Sequence, residues 1–174
     1  GEADNYFRQA LAIQESKLDT HHPDLESTLY VLLTLKHLGA CACSSGRTDE
    51  AMEFYERALE IQQKELGADH PDVSITLIEL GICVFNDLRV EEAEEFFRRA
   101  LAIQERKLGV HHLSLASTLM DLGACASKAG RTEAAEELYR RALTIRENKL
   151  GVDHLDVADT LRALGICVSK AGRM

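Results

Sequence analysis

The decapeptide LGACASKAGR, from Leu122 to Arg131, recurs in recognisable form along the chain. LGACACSSGR begins at Leu38, LGICVFNDLR at Leu80 and LGICVSKAGR at Leu164, so successive copies start 42 residues apart. Each copy has glycine in its second place and cysteine in its fourth. A fixed period of this length predicts a protein built from stacked copies of one supersecondary unit.

The composition restricts the class of protein. The chain has 174 residues, of which 45% are hydrophobic and 28% charged, and this balance argues against disorder. Aromatic residues make up 5%, which suits helices better than sheets. The net charge of −9 argues against nucleic-acid and anionic membrane partners, and no apolar run approaches the roughly 18 residues of a membrane span. Five cysteines without a secretory signal predict reduced thiols and a cytoplasmic location.

Each unit is predicted to contain two helices. The first begins at a loop such as Asp69 to Asp72, where Pro71 suits the first helical position and Asp72 the positive end of the helix dipole. The second opens with the acids Glu91 and Glu92, and both helices carry apolar residues at helical spacing. The positions that recur with the period are Leu35, Leu77, Leu119 and Leu161; Gly39, Gly81, Gly123 and Gly165; Ala51, Ala93 and Ala135; Tyr55, Phe97 and Tyr139; and Ala58, Ala100 and Ala142.

The small residues at these positions predict close helix packing. Two helices can cross at about 8–10 Å only where side chains no larger than glycine or alanine meet. One helix pair cannot bury both of its faces, so the pairs are expected to stack into an elongated array. The predicted divisions are a half repeat at 1–20, a repeat with a six-residue insertion at 21–67, repeats at 68–109 and 110–151, and a half repeat at 152–174.

At these residues the chain resembles the tetratricopeptide repeat family. Leu77, Leu80-Gly81, Ala93, Phe97 and Ala100 match the family pattern, and the 42-residue length is similar to the kinesin light chain and nephrocystin-3 subtype. The resemblance implies an all-α, right-handed solenoid of eight helices, made of three full pairs between two half units. It also implies a non-catalytic protein that binds a protein or peptide partner.

Two departures from the pattern give further expectations. Leu88 stands where a glycine is expected between the helices, so Asn86 or Asp87 is expected to adopt the left-handed turn that Gly46, Gly130 and Gly172 provide elsewhere. The upstream half copy lies 48 rather than 42 residues away, and the six extra residues are expected within Thr28 to Leu33.

The recurring cysteines and histidines are interpreted as structural residues. Cys41, Cys83, Cys125 and Cys167 are expected to be small buried side chains. Cys43 has no counterpart and is expected to be exposed and oxidisable, which leaves a redox-responsive element as a third hypothesis. His22, His70, His112 and His154 occur once per unit, so we expect helix caps rather than zinc ligands. Because the chain has no P-loop, dinucleotide fingerprint, nucleophile elbow or HExxH motif, we expect neither catalysis nor a cofactor.

The resemblance also places a binding groove on the first helices. The groove residues that it implies are Leu33, Lys36, His37, Ala40, Cys43, Ile75, Ile78, Glu79, Ile82, Phe85, Ser117, Met120, Asp121, Ala124, Lys128, Asp159, Arg162, Ile166 and Lys170. Chaperone-binding members clamp a carboxylate with Lys, Asn and Arg. Of those positions only Lys36 matches here, and Glu79 and Asp121 would repel such a ligand. Kinesin-type paired asparagines are also missing, so the groove is predicted to suit a segment with apolar anchors and a basic residue.

Self-association is the alternative function. The chain starts at a second helix and stops where another should begin, and neither end resembles a polar cap. The bare ends, or the insertion with Tyr30, Val31 and Leu32, are therefore expected to be able to join copies of the chain or to separate domains of a longer protein.

Overall fold

A computed structural model describes residues 1–20, 25–170 and 172. These residues form eight α-helices: α1 (Glu2–Thr20), α2 (Leu25–Ser44), α3 (Thr48–Leu66), α4 (Pro71–Asn86), α5 (Val90–Leu108), α6 (Leu113–Lys128), α7 (Thr132–Leu150) and α8 (Leu155–Lys170). The tightest packing joins α2 to α3, α4 to α5 and α6 to α7. The predicted all-α array of antiparallel helix pairs is confirmed. We call α2, α4, α6 and α8 the first helices, and α1, α3, α5 and α7 the second helices.

Histidine caps begin three of the first helices. The Nδ1 atoms of His70, His112 and His154 accept hydrogen bonds from the backbone N–H groups two residues later, at 3.2, 3.3 and 3.1 Å. These bonds satisfy N–H groups that have no partner within the first turn of a helix. The predicted capping role is confirmed for these three residues, and His22 lies outside the described residues.

The turn between the helices of a pair needs a left-handed residue. Gly46 and Gly130 occupy it with φ of 71° and 75°. The expectation for α4 was wrong, because Leu88 itself takes this conformation with φ of 64°, and Asp87 keeps a φ of −84°. The backbone bonds around Leu88, to Phe85 O and from Arg89 N to Val84 O, match those around Gly130. The turn therefore keeps its geometry despite a side chain that disfavours it.

Leu88→Gly is expected to raise the free energy of unfolding by about 1 kcal/mol, because an L-residue in the left-handed region is strained by about 1–2 kcal/mol. Leu88 is 68% exposed, so little packing is lost. Urea unfolding followed by circular dichroism measures the change. The reverse substitution, Gly130→Leu, is the matched control and is expected to lower stability by a similar amount. Equal stability of Leu88→Gly and the unchanged chain would contradict the argument.

Each helix pair is centred on a glycine and an aromatic ring. A Cβ built on Gly39, Gly81 or Gly123 would lie 2.9, 2.7 or 2.4 Å from a ring atom of Tyr55, Phe97 or Tyr139. The three rings are buried, and so are the alanines on either side of each. Residues predicted from spacing to be close contacts are therefore confirmed as such.

The extra residues before Thr34 extend the end of α1 and the start of α2. Residues 29–44 of α2 stand in the register of α4, so the additional turn of α2 is residues 25–28, and α1 runs to Thr20. The location expected within Thr28 to Leu33 is thereby corrected. Val31 and Leu32 are buried in the core at the positions of Val73 and Ser74, so of the three residues expected to join copies only Tyr30, at 53%, is exposed.

The two kinds of helix form separate layers. In the layer of first helices, α2 contacts α4 and α4 contacts α6. Successive second helices are bridged by long side chains, through the ion pairs Arg8–Glu50, Arg57–Glu15, Arg131–Glu94 and Arg141–Glu105. Such pairs between partly exposed side chains each contribute about 0–1 kcal/mol. The first helices therefore touch one another directly, whereas these long side chains link the second helices.

Candidate functional site

The surface of the first helices carries an apolar patch near its centre. Ile75 and Ile82 of α4 are 48% and 41% exposed, and Ile78 between them is partly buried against the core. Their spacing of three and four residues places the three isoleucines on one side of α4. Leu33 of α2, 45% exposed, occupies the position equivalent to Ile75. Two neighbouring helices therefore present large aliphatic side chains to solvent.

Lys36 and Glu79 form an ion pair across α2 and α4. Lys36 Nζ lies 3.2 Å from Glu79 Oε2, and the two side chains are 23% and 37% exposed. The carboxylate is therefore partly neutralised by the chain itself. A basic group of a partner would have to compete with Lys36 for it.

His37 is turned toward the preceding second helix. Its ring stacks on Phe7 of α1 with centroids 5.0 Å apart, and its Nδ1 lies 2.6 Å from the carbonyl oxygen of Leu33. The residue forms the edge of the surface where α1 and α2 meet.

Asp121 of α6 is withdrawn from solvent. Burial raises the pKa of its carboxyl group to about 6, and the charge of Arg146 opposes part of that rise. Near neutral pH the group carries its charge only at a cost in folding free energy. The acidic centre expected from Glu79 and Asp121 thus consists of one paired and one buried carboxylate.

Asp121→Asn is expected to raise the free energy of unfolding by about 1–2 kcal/mol at about pH 7.5, after allowance for partial exposure. A pKa raised in the folded chain means that the folded state binds more protons than the unfolded one between about pH 4 and about pH 6. The contribution of the Asp121 carboxyl group to stability is therefore fully present below about pH 4 and is lost as the pH rises through about 6.

The matching measurement is urea unfolding of both chains across this pH range. The advantage of the asparagine variant is expected to disappear below about pH 4, where the Asp121 carboxyl group is protonated in both the folded and the unfolded chain. Asp159→Asn is the control, since the Asp159 side chain is 65% exposed and lies 3.4 Å from Arg162. A gain that did not change with pH would exclude burial of the charge as its cause.

The C-terminal part of the surface is more basic. Lys128 Nζ lies 4.8 Å above the centre of the Phe85 ring, a cation–π contact between α6 and α4. Met120 is partly buried between the core clusters of α6 and α7. In α8, Ile166 is 49% exposed, and Lys170 and Arg162 also reach solvent.

Two contacts between first helices, one between opposite charges and one between a charge and an aromatic ring, share one spacing. Lys36 and Glu79 are 43 residues apart, and so are Phe85 and Lys128. One repeat plus one residue is therefore the step at which these neighbouring first helices meet. Sequence reasoning missed both pairs, although the opposite charges of Lys36 and Glu79 at this spacing were a usable signal.

Cys83, Cys125 and Cys167 are buried, as expected, whereas Cys41 was expected to be buried and is only half-buried. Burial raises the pKa of the Cys83 thiol to about 12 and of the Cys125 thiol to about 11. A hydrogen bond between Cys43 and Cys83 adds to the rise for Cys83. Cys43 was expected to be exposed, but it is half-buried against the core. High pKa values disfavour the thiolate that oxidation requires.

Residues 1–20, 25–170 and 172 contain no group of three or more His, Cys, Asp or Glu placed to hold a metal ion. Among the helices of the same residues, none combines the length and the apolar character that a membrane span needs.

Stacked antiparallel helix pairs with glycine–aromatic contacts define a helical-repeat protein. One profile described as tetratricopeptide repeat matches residues 30–105 and 85–148, which is more than half of the chain, and another matches residues 1–24. The chain belongs to the tetratricopeptide repeat family. Domains of this family generally serve in protein–protein interaction and are typically non-catalytic.

Solved structures with the same fold include kinesin light chain-like proteins. BtubC (BKLC) from P. vanneervenii has a TM-score of 0.80 at 24% identity, over 99% of this chain and 69% of that one. A Podosopora anserina protein described as a kinesin light chain with nearly identical TPR-like repeats has a TM-score of 0.79 at 26% identity, over 99% and 79%. The N-terminal domain of stress-induced protein-1 from C. elegans has a TM-score of 0.60 at 14% identity, over 79% and 97%. None of the curated proteins compared with the sequence matches it.

Proposed function

We propose that this chain binds a protein partner by holding a short apolar segment of it against the first helices, centred on α2 and α4. The observation that carries the proposal is the exposure of Leu33, Ile75 and Ile82, at 45%, 48% and 41%, on two adjacent helices. The family generally acts in protein–protein interaction, and neighbouring first helices contact each other directly.

The apolar patch on α2 and α4 does not continue onto α6, although Ile166 of α8 is also exposed, at 49%. The positions equivalent to Ile75 in α6 and α8 are Ser117 and Asp159, which are polar. A segment lying across the helices would therefore place its apolar anchors on α2 and α4. Full burial of an aliphatic side chain is worth about 1.5–3 kcal/mol, so two or three anchors supply enough free energy for a specific, transient contact.

The charged side chains beside the patch determine which charged residues the partner segment can carry at each end. A basic residue of the partner would reach Glu79 only by displacing Lys36, which lies 3.2 Å from it. Toward α6 and α8 the same layer offers Lys128, Lys170 and Arg162 to acidic residues. The proposed ligand is thus an apolar segment, with a basic residue near the patch as the finer prediction.

Ile82→Asp is expected to weaken such a complex at least tenfold, because an acid would replace an anchor contact worth about 1.4 kcal/mol or more. The probe is a phage-displayed library of random peptides selected on the immobilised chain, and the enriched peptides are then titrated by calorimetry. Val152→Asp is the matched control, since Val152 is an exposed valine in the loop after α7.

Equal affinity of an enriched peptide for the Ile82→Asp, Val152→Asp and unchanged chains would place the binding surface elsewhere. Glu79→Gln tests the finer point. Peptides that need a basic residue at Glu79 should lose affinity for that variant, whereas peptides held by apolar anchors alone should not.

A further inference from the structure

A cavity of about 130 Å³ lies where the starts of α2 and α4 meet the end of α3. Its apolar lining consists of Leu29, Leu32, Ile61 and Leu66. Leu29 and Leu66 are 51% and 42% exposed, whereas Leu32 is 9% exposed, so the cavity has an open mouth and a buried floor. An apolar cavity of about 150 Å³ is large enough to hold benzene. The space therefore suits a side chain with a single six-membered ring.

Gln62 lines the same cavity and brings a buried polar group to it. The residue is 2% exposed, and its Nε2 donates to the carbonyl oxygen of Asp72 at 3.3 Å, which orients the amide. Among the described residues, no group donates a hydrogen bond to its Oε1. Because buried acceptors in folded proteins are nearly always hydrogen-bonded, this oxygen indicates a donor that comes from outside the chain.

The equivalent residue of the next repeat, Gln104, has the hydrogen bond that Gln62 lacks. Oε1 of Gln104 accepts from Thr118 Oγ1 at 2.9 Å. Thr76 stands at the position of Thr118, but its hydroxyl group donates to the carbonyl oxygen of Asp72 at 3.4 Å. A hydroxyl group is therefore the kind of donor that this amide position takes when it is satisfied.

The cavity continues the apolar patch of the first helices. Leu29 lies four residues before Leu33 on α2, and Asp72, which also lines the cavity, lies three residues before Ile75 on α4. Residues at these spacings share one side of a helix. A segment held against the patch would therefore reach the cavity at the end nearest the starts of both helices.

The mouth of the cavity is acidic. Glu65 and Asp72 line it, and their side chains are 35% and 56% exposed. Lys64 Nζ is 3.9 Å from Glu65 Oε1, which is a weak pairing. His70 Nδ1 is 3.8 Å from Asp72 Oδ2, but it accepts the N–H of Asp72 and so carries no proton there. The two carboxylates therefore favour a cation beside the ring.

We propose that this cavity receives a tyrosine side chain of the partner segment, an inference that rests on the proposed function. The ring packs on the apolar lining, and the hydroxyl group donates a hydrogen bond to Oε1 of Gln62. A lysine or arginine next to the tyrosine pairs with Glu65 and Asp72 at the mouth. Phenylalanine would leave the amide oxygen unsatisfied, and the indole of tryptophan is larger than the single ring that the cavity suits.

Three small probes test the proposal on the unchanged chain by two-dimensional NMR titration. Tyramine carries a phenol and an ammonium group, phenethylamine lacks the phenol hydroxyl, and tyrosol has a second hydroxyl in place of the ammonium. Tyramine is expected to bind with a Kd on the order of 1 mM, with the largest shifts at the methyl groups of Leu29, Leu32 and Leu66. Each of the other two probes is expected to bind about fivefold more weakly.

Gln62→Leu removes the acceptor and keeps the approximate size of the side chain. This variant is expected to bind tyramine no better than phenethylamine. Gln104→Leu is the matched control, because Gln104 is 3% exposed at the equivalent position but lies outside the cavity. It should bind tyramine like the unchanged chain. Circular dichroism checks the fold of both variants, and the comparison of the three probes decides the question without any variant.

The results also separate this inference from the proposed function. The Ile82→Asp variant should bind tyramine like the unchanged chain, because Ile82 does not line the cavity. Peptides selected on the unchanged chain should be enriched in tyrosine beside a basic residue and should lose affinity for Gln62→Leu. Peptides that were insensitive to Ile82→Asp would contradict the proposed groove while tyramine still bound to the cavity.

Three outcomes would overturn the assignment of the cavity. They are a failure of tyramine to bind, equal affinities for the three probes, and an affinity for tyramine that Gln62→Leu leaves unchanged. Each of them could occur while selected peptides still depended on Ile82, in which case the groove would stand without the tyrosine site.

Discussion

Phe97→Ala is expected to lower the free energy of unfolding by about 3–5 kcal/mol, the usual cost of removing a fully buried aromatic side chain. Phe97 is 1% exposed and lies between α4 and α5, with its ring against Gly81. Alanine would leave a cavity at the centre of the middle helix pair. In an array where each unit contacts only its neighbours, loss of the middle pair also removes the support that the outer pairs share.

Phe96→Ala is the matched control, since it removes the same side chain from the adjacent position. Phe96 is half-buried, and its ring lies 6.0 Å from the guanidinium carbon of Arg99. We expect a loss of about 1 kcal/mol for this variant, consistent with partial burial. Urea unfolding followed by circular dichroism measures both. Equal losses for the two phenylalanines would mean that the glycine–aromatic contact does not hold the pair together.

Gly123→Ala is expected to lower the free energy of unfolding by about 2 kcal/mol, although alanine is the better helix former by about 1 kcal/mol. The added Cβ would lie 2.4 Å from Cε1 of Tyr139, a ring buried between α6 and α7. The ring cannot move away without separating the helices, so the overpacking outweighs the gain in helix propensity.

Gly165→Ala separates the two effects. The position is equivalent in the repeat, but the described residues leave its surroundings open, so only the helix propensity changes. We expect a gain of about 1 kcal/mol from the same urea experiment. A loss at both glycines would show that the cost at Gly123 does not come from the ring.

Local patterns predicted most of the fold correctly. The caps at His70, His112 and His154, and the left-handed turns at Gly46 and Gly130, depend on residues within one or two helical turns. Such interactions can be inferred from spacing alone. The exception at Leu88 has a physical reason: the backbone bonds of the turn and the packing of the pair override the preference of one side chain.

The exposure and the ion pairing of the groove residues could not be predicted in the same way. Glu79 and Asp121 have the same type of side chain, yet one is paired with Lys36 and the other is buried. Val31 and Leu32 looked like inserted residues, yet they fill core positions because the extra turn was added at the start of α2.

The amino-acid sequence by itself determined the repeat, the two helices of each unit, their caps and the glycine–aromatic contact, because these follow from periodicity along the chain. Only the tertiary structure decided which side chains of the first helices are exposed and unpaired, because that depends on the neighbouring helix, one repeat away.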